Sequence, residues 1–278
     1  MRSPHVRESY ASPDVRASYA GPDVRVSYAS PDVWASYAGP DVRESYAGPD
    51  VRIIGALDSE VSSLISNLSD IAEKKISGVT FYSGVYGDKK VVIAKSGVGK
   101  VFAAMCAEAM ILNYNVDKVI HIGIAGSLDK ELGIKDVAIA SSVVQHDMDS
   151  TALGDPPGKI LETDLTYFPC AKRLVDDMSN IAKMLNIKYK VGIIASGDQF
   201  ISSDVAKKKI VDTFNAIACE MEGASIGAVC NEYGVPFVVI RAMSDKADGK
   251  AHDTIENMGD IAADNSSRIV LEMLKAME

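Results

Sequence analysis

The sequence contains few of the residues that bind metals or form disulfides, and it has no long hydrophobic segment. There are four cysteines and four histidines among 278 residues, and neither set shows the paired spacing of a zinc site. Three cysteines lie in apolar surroundings, which favours reduced core thiols in the cytosol. No apolar run approaches the roughly 18–20 residues that a membrane helix needs. We therefore expect no metal site, no disulfide framework and no membrane partner.

The sequence also has fewer basic than acidic residues, with 29 Lys and Arg against 38 Asp and Glu. The formal net charge is −9, and no basic stripe offsets it, so binding to nucleic acid through phosphate neutralisation is not expected. The N-terminus lacks the charged and then apolar pattern of a secretory signal peptide, and export is not indicated. Because 47% of the residues are hydrophobic, the chain is able to bury a sizeable core.

A nine-residue repeat occupies the first fifty positions. Each copy reads Ser-Tyr-Ala-Ser/Gly-Pro-Asp-Val, and the copies begin at Ser9, Ser18, Ser27, Ser36 and Ser45. One tyrosine and one valine per copy offer too little apolar surface to offset the entropy lost on ordering. We expect residues 1–50 to form a disordered tail. A partner-binding tandem motif and a β-solenoid are the alternatives.

From Val51 onward, short apolar runs alternate with helix-like segments. Strands are predicted at 51–56, around Phe81, at 91–94, 119–124, 137–144 and 191–195, around Ile217 and at 235–240. Helices are predicted after a cap at Asp58 or Ser59 and at 101–113, 172–185, 205–214, 223–233 and 254–277. This alternation predicts one three-layer α/β/α domain with a mixed sheet over residues 51–278.

Carboxylates follow buried strands at several places in this pattern. The runs Cys219–Ala224 and Arg241–Asp245 each come after a predicted strand, and Glu60 comes directly after the first one. Ligands of open α/β sheets bind at the carboxyl ends of strands. A lone Glu60 or Glu222 is also typical of a solvated first-turn carboxylate that the helix dipole stabilises. Only the joint placement of Glu60, Glu222 and Asp245 predicts a site.

Two more strand ends offer surfaces for a planar ring. In Ser196–Ile201, backbone groups are able to bind the edge of a base while Phe200 stacks on its face. The run His121–Gly126 is either a plain turn or a wall against which a ring packs. Lys95–Lys100 has only part of the Walker pattern, so binding of a nucleoside triphosphate is not expected.

Taken in order, these runs resemble those of the 5′-methylthioadenosine/S-adenosylhomocysteine nucleosidases, which have the nucleoside phosphorylase/hydrolase fold. The matching runs span the domain and leave out only the repeat tail: Gly55–Val61, Lys95–Val101, Ser196–Ile201, Glu220–Ala224 and Arg241–Asp245. The resemblance implies a partly barrel-like central sheet and a cytoplasmic homodimer without cofactor or metal. It also implies hydrolysis of the N-ribosidic bond of methylthioadenosine, S-adenosylhomocysteine and 5′-deoxyadenosine, with release of adenine.

The resemblance assigns the catalytic roles to two carboxylates. Asp245 looks like the general acid that protonates N7 of adenine, and Glu60 looks like the base that deprotonates the attacking water. Because the cleaved sugar is oxocarbenium-like, one protonated and one ionised carboxyl group on opposite sides serve this reaction, as in inverting glycosidases. Arg241 and Ser244 resemble the polar supports of the water and of the acid.

The other positions implied by the resemblance bind the substrate. Glu222 would bind the ribose hydroxyls, Met221 would pack on the sugar, and Phe200 would stack on adenine while the backbone of Ile201 binds the base edge. The run His146–Asp149 matches a segment near the dimer interface, where a partner subunit completes the 5′ pocket. The remaining matched positions, four of them in the 5′-alkylthio pocket, are Leu57, Val98, Ile255, Met258, Ala56 and Gly126.

One departure from the family pattern and three rival functions bear on this interpretation. Ile124 stands where the family usually has Ser or Thr, which removes a hydroxyl near the catalytic water. A nucleoside phosphorylase of the same fold needs cationic phosphate ligands after the first strand, whereas Asp58–Glu60 is acidic and favours water as the nucleophile. A futalosine hydrolase uses similar carboxylates and stays an alternative. A non-catalytic nucleoside-binding protein would lose the acid or the base, and both are present.

Overall fold

The structure is a computed structural model that describes residues 51–247 and 255–277, with the side chains of the last helix described from Asp264 onward. The prediction for the repeat tail therefore lies outside the described residues. The same holds for the roles predicted for the side chains of Ile255 and Met258.

Ten strands and six α-helices occupy the described residues. The strands are β1 Val51–Gly55, β2 Ser69–Ile76, β3 Val79–Tyr86, β4 Lys89–Lys95, β5 Val119–Ser127, β6 Val137–Gln145, β7 Tyr167–Pro169, β8 Tyr189–Ser196, β9 Ala216–Glu220 and β10 Phe237–Asp245. The helices are α1 Asp58–Ser66, α2 Lys100–Asn113, α3 Lys172–Met184, α4 Asp204–Phe214, α5 Gly223–Glu232 and α6 Ile255–Ala276. Within these bounds, no helix is long and apolar enough to cross a membrane.

All ten strands belong to one sheet, and part of that sheet closes on itself. Strand β10 pairs with both β5 and β6, while β6 pairs with β8, β8 with β9, and β9 with β5. These five strands therefore form a closed barrel. Strands β1, β4, β3 and β2 continue the sheet outward from β5, and β7 pairs with β6. The sheet contains both parallel and antiparallel pairs, which confirms the predicted mixed, partly barrel-like α/β fold.

The central strands are buried on both faces. Every residue of β1 and of β10 is buried, and helix α6 packs against β10 and α1 on one side of the sheet. Strands covered on both faces appear in a sequence as continuous apolar runs, which is why the sequence predicts these strands. Each fully buried aliphatic side chain, such as Ile53 or Ile240, contributes roughly 1.5–3 kcal/mol to folding.

The predicted cap of the first helix was wrong. Helix α1 begins at Asp58, and its N-cap is Leu57, whose side chain makes no capping hydrogen bond. The carboxylate of Glu60, in the first turn, instead accepts hydrogen bonds from the backbone N–H groups of Ala56 and Leu57. The helix start is therefore stabilised by the residue that the sequence predicts to be the catalytic base.

The predicted end of the last strand was also wrong. The sequence placed it at Ile240, where the apolar run stops, but β10 continues to Asp245 along β5. The register shifts between Met243 and Asp245, so Ser244 is the extra residue of a bulge. Bulges re-aim side chains at the rims of barrels, and this one directs Ser244 and Asp245 to the end of the ladder.

Candidate active site

A cavity of about 230 Å³ lies at the carboxyl ends of the strands. It collects residues that follow β1, β8 and β9 and residues at the ends of β5 and β10. Eleven of the fourteen predicted site residues line it: Ala56, Leu57, Glu60, Val98, Gly126, Phe200, Ile201, Met221, Glu222, Ser244 and Asp245. Carboxyl ends of strands are where α/β folds bind ligands, so the expected location of the site agrees with the structure.

Residues that the sequence did not predict also line the cavity, and one predicted residue stands behind it. Arg241 is completely buried. It is not one of the described residues that line the cavity. Lining residues outside the predicted set are Ile124, Ala125, Gln199, Cys219 and Glu220.

Glu60 is held rigidly by backbone donors. It is 2% exposed, and its Oε2 accepts from the N–H groups of Ala56 at 2.6 Å and Leu57 at 3.0 Å. Its Oε1 accepts from the N–H of Ile124 at 2.9 Å and lies 3.7 Å from Nη1 of Arg241. A carboxylate has about four acceptor positions, so three backbone donors leave room for one further donor such as a water molecule.

The small residues of β5 make room for this arrangement. The run His121–Gly126 is part of the strand, so its interpretation as a turn was wrong. A Cβ at Gly123 would collide with Arg241 Nη1 and Glu60 Oε1. Glycine at this position therefore lets the carboxylate and the guanidinium group approach the strand backbone.

Arg241 pairs with a cluster of three buried carboxyl groups. Its guanidinium contacts Glu220 directly, lies 3.2 Å from Glu222 and lies 3.7 Å from Glu60. Burial alone lowers the pKa of Arg241, but the three carboxylates outweigh burial and raise it. Buried charges persist in proteins when they are paired and hydrogen-bonded in this way. Arg241, which the sequence predicts to be a polar support in the site, is therefore an ion-pair partner of all three carboxylates.

Glu220 is the residue of this cluster that the sequence interpretation left without a role. Its two oxygens accept from the N–H of Gly223 at 3.0 and 2.8 Å, at the start of α5, and one contacts the hydroxyl of Ser196. Burial raises the pKa of Glu220, but Arg241, helped by the Ser196 hydroxyl, outweighs it and holds that pKa below the usual range. The sequence did carry a signal for this role: Glu220 and Glu222 stand two positions apart, and two such carboxylates at the end of a buried strand need a buried cation.

His121 also belongs to this cluster, beside Arg241 and Glu220. It is completely buried, with Nδ1 2.9 Å from the carbonyl of Ile54 and Nε2 in contact with Nη2 of Arg241. A carbonyl only accepts, so Nδ1 carries the proton and Nε2 accepts from Arg241. Burial and then the charge of Arg241 lower the pKa of His121, so the ring is neutral. His121, Glu220 and Glu222 have the spacing of metal ligands, but the guanidinium of Arg241 already bonds to them.

The pKa of Glu222 is shifted in the opposite direction from that of Glu220. Its Oε1 accepts from the N–H of Gly99 at 2.9 Å. Burial raises the pKa of Glu222 to about 7; Glu220 and Glu60 add to this rise, whereas Arg241 and the Gly99 donor oppose it. The carboxyl group is therefore able both to donate and to accept hydrogen bonds near neutral pH.

Asp245 lies between two hydrogen-bonding groups, one on each carboxyl oxygen. Its Oδ1 accepts from the N–H of Ala247 at 2.7 Å, and its Oδ2 lies 2.8 Å from Oγ of Ser244. The same Oγ lies 3.3 Å from the carbonyl of Ala125. The serine hydroxyl has one hydrogen, so when it donates to Ala125 it accepts from a proton on Oδ2. The serine hydroxyl is therefore able to serve Oδ2 as a donor or as an acceptor.

Comparison with known proteins agrees with this geometry. The profile of the phosphorylase superfamily matches residues 50–275. A protein of Staphylococcus aureus strain JH9 named 5′-methylthioadenosine/S-adenosylhomocysteine nucleosidase is 40% identical over 219 residues, which cover 78% of this chain and 96% of that protein. The chain belongs to this nucleosidase family. The resemblance stated from the sequence is thereby confirmed, and the protein is an N-glycosyl hydrolase.

Solved structures of the family have the same fold. An aspartate-to-asparagine variant of the Helicobacter pylori enzyme, with 5′-methylthioadenosine in its active site, matches with a TM-score of 0.80 and 36% identity, covering 83% of this chain and 100% of that one. The Neisseria meningitidis enzyme in complex with methylthio-immucillin-A matches at 0.79 and 33%, covering 82% and 99%. Futalosine hydrolase of Helicobacter pylori also matches at 0.79 and 36%, covering 82% and 97%.

The loops around the nucleosidase cavity are tied together by aspartates. Asp198 accepts from the N–H of Lys100 at 2.8 Å, and Asp147 accepts from the N–H of Asp198 at 2.9 Å and from Nζ of Lys100 at 2.7 Å. These bonds join the glycine-containing loop before α2 to the loop that carries Phe200. The ring of Phe200 is 55% exposed at the cavity, which leaves a face free for stacking.

Proposed function

We propose that the enzyme hydrolyses the N-ribosidic bond of 5′-methylthioadenosine and S-adenosylhomocysteine, with 5′-deoxyadenosine as a further substrate. The observation that carries this proposal is the acidic cavity lining. Glu60, Glu222 and Asp245 line one cavity beside Phe200, and no Lys or Arg is found among the described lining residues. Such a cavity repels phosphate and favours water as the nucleophile.

In the proposed reaction, two carboxyl groups divide the work. Asp245 donates its proton to N7 of adenine, so the base departs neutral, and Ser244 supports the acid. Glu60 accepts a proton from a water that attacks C1′ of the oxocarbenium-like sugar, as a general base does in an inverting glycosidase. Arg241 supports this step through its ion pair with Glu60.

The remaining residues bind the substrate in this proposal. Glu222 binds the ribose hydroxyls and Met221 packs on the sugar. Phe200 stacks on adenine, while the backbone of Ile201 binds its edge. Six further positions are assigned to the substrate from the family resemblance, and four of them line the cavity: Ala56, Leu57, Val98 and Gly126.

Product analysis with methylthioadenosine tests the proposal. We expect adenine and free methylthioribose at a rate that phosphate does not change. The release of a sugar 1-phosphate, or a rate that requires phosphate, would identify a phosphorylase instead. Liquid chromatography with mass detection, in buffers with and without phosphate, distinguishes the two outcomes.

Futalosine is the second candidate substrate, because the futalosine hydrolase of Helicobacter pylori is as similar in structure as the nucleosidases are. Both reactions break an N-ribosidic bond with similar carboxylates. Measuring kcat/KM for futalosine and methylthioadenosine with the same enzyme preparation decides between them. We expect the higher value for methylthioadenosine.

We propose that the enzyme is a homodimer. Four apolar side chains of α2 are unusually exposed: Val101 67%, Phe102 57%, Met105 41% and Leu112 65%. Exposed apolar patches of this kind mark interfaces. The N-terminal end of α2 adjoins the loop with Val98, which is itself 45% exposed at the cavity, so a second copy on this face would also cover the cavity mouth.

Replacing Phe102 with glutamate is expected to shift the protein from dimer to monomer and to raise KM for methylthioadenosine. A charge in the centre of an apolar interface costs several kcal/mol when it is buried without a partner. Sedimentation or light scattering measures the assembly. Val205 on α4 is 81% exposed, so V205E is the matched control and should stay dimeric. A dimeric F102E protein with an unchanged KM would contradict the proposed interface.

We also propose a cytoplasmic location. All four cysteines are buried free thiols, and burial raises the pKa of Cys106 to about 12. Buried reduced thiols are usual in compartments that keep thiols reduced. Fractionation of the native host with an antibody against this chain tests the location.

A further inference from the structure

The barrel closes beside the general acid, and one lysine joins the two strands there. Asp245 of β10 pairs with Gly126 of β5 in the last rung of their ladder. The next carbonyl of each strand, on Ser127 and on Lys246, leaves the ladder. Both accept from the same ammonium group, because Nζ of Lys207 on α4 lies 2.7 Å from Ser127 O and 2.5 Å from Lys246 O.

The carbonyl of Lys246 and the N–H of Ala247 belong to one peptide unit. That N–H donates to Oδ1 of Asp245 at 2.7 Å. In a planar trans peptide the two groups point in opposite directions, so Lys207 holds one side of the plane while Asp245 is held on the other. Orienting this one plane orients the carboxyl group.

The peptide plane needs such support because the next residue has an unfavourable backbone conformation. Ala247 has φ of 51°, in the left-handed region that residues with a Cβ rarely adopt. Its methyl group is completely buried in a small apolar cluster with Leu128, Ile201 and Cys219. The packing of the Ala247 methyl group and the hydrogen bond from the Lys207 ammonium group to the carbonyl of Lys246 therefore act together to keep the turn in place.

We propose that Lys207 is a positioning residue for the general acid, and this inference rests on the proposed function. Lys207 acts through the peptide unit between Lys246 and Ala247. Because Oδ1 of Asp245 is occupied as an acceptor, the catalytic proton resides on Oδ2, next to Ser244. Without Lys207, the turn loses the donor that joins it to β5, and the carboxyl group loses its fixed direction.

The neighbouring lysine provides a matched control. Lys208 is the next residue of α4, its side chain is 75% exposed, and it pairs with Asp212 one turn along the helix at 2.7 Å. It is not a lining residue of the cavity. K208M therefore removes the same charge from the same helix, and keeps most of the side-chain length, without touching the turn.

The experiment compares two leaving groups in wild type, K207M, K207R and K208M. Methylthioadenosine needs protonation of adenine, whereas the 4-nitrophenyl glycoside of 5-methylthioribose releases a stabilised phenolate that needs no proton. For K207M we expect kcat with methylthioadenosine to fall by about 10- to 100-fold, with KM little changed. Its rate with the nitrophenyl substrate should match wild type. K207R, whose guanidinium also donates to two acceptors, should recover part of the loss, and K208M should behave as wild type.

Two outcomes would overturn the inference. Equal losses of K207M on both substrates would show that Lys207 only maintains the fold, and an unchanged kcat with methylthioadenosine would show that the turn does not need it. If wild type itself fails to release adenine from methylthioadenosine, the proposed function fails instead, and the variants are not needed to show it.

Discussion

Replacing Asp245 with asparagine is expected to lower kcat for methylthioadenosine by about 10³-fold, within the range that general acid catalysis contributes. Asparagine has nearly the same shape. Its oxygen still accepts from the N–H of Ala247, and its amide still reaches Oγ of Ser244, at the places where Asp245 now makes contacts of 2.7 and 2.8 Å. The amide has no proton to give to N7 of adenine, so binding survives and the chemical step does not.

The measurement combines steady-state kinetics with calorimetry. D245N should bind methylthioadenosine with a Kd within about tenfold of the wild-type KM, since a hydrogen bond of modest strength is all that changes in the ground state. Asp176 on α3 is exposed and pairs with Lys172, so D176N is a control that should retain full activity. If D245N turned over at the wild-type rate, Asp245 would not be the acid.

The fold was largely predictable because its central strands are buried on both faces and its helices follow them in regular alternation. Among the features that the sequence did not predict, two were missed for opposite reasons. Strand β2, Ser69–Ile76, is almost entirely exposed and, among the described strands, pairs with β3 alone, so no buried apolar run marks it in the sequence. The second half of β10 is completely buried yet contains Arg241, Ser244 and Asp245. Arg241 is stable there because its carboxylate partners come from distant parts of the sequence.

The site was predictable where a short run of residues carries the chemistry, and less so where contacts join distant runs. The carboxylates of Glu60, Glu222 and Asp245 stand in runs that resemble the family, and the structure brings them to one cavity. Glu220 stands in one of those runs too, yet its partners Arg241 and His121 are 21 and 99 positions away, so nothing local shows that it is an ion-pair residue. Long-range pairing of this kind becomes visible only when the barrel closes.

Replacing Arg241 with methionine is expected to lower the free energy of unfolding by about 3–5 kcal/mol at pH 7.5, the usual cost of removing one partner of a buried ion pair. Arg241 is the buried cation among three buried carboxylates. Methionine fills much of the volume but leaves Glu60, Glu220 and Glu222 close together without a counter-charge. Urea unfolding at one fixed protein concentration measures the loss.

The loss should depend on pH, and its sign follows from the two shifted carboxyl groups. In the wild type the pKa of Glu220 is held below its unfolded value, so Glu220 contributes stability above that value of about 4.3, and the contribution disappears as pH falls through the folded value. The pKa of Glu222 is raised, so its contribution is present below about 4.3 and is lost as pH rises towards 7. Without Arg241 both values rise, and the folded variant binds more protons than folded wild type.

Since the unfolded chains titrate alike, the deficit of R241M should grow as pH rises from 5 to 7.5 and shrink at the acid end. Arg173 on α3, whose side chain is 94% exposed and 4.0 Å from Asp177, gives the matched control R173M. That variant should lose less than about 1 kcal/mol at either pH, as exposed pairs do. An equal deficit of R241M at both pH values would mean that lost packing, rather than unpaired carboxylates, accounts for the destabilisation. A deficit no larger than that of R173M would mean that the three carboxylates do not need Arg241 to stay buried.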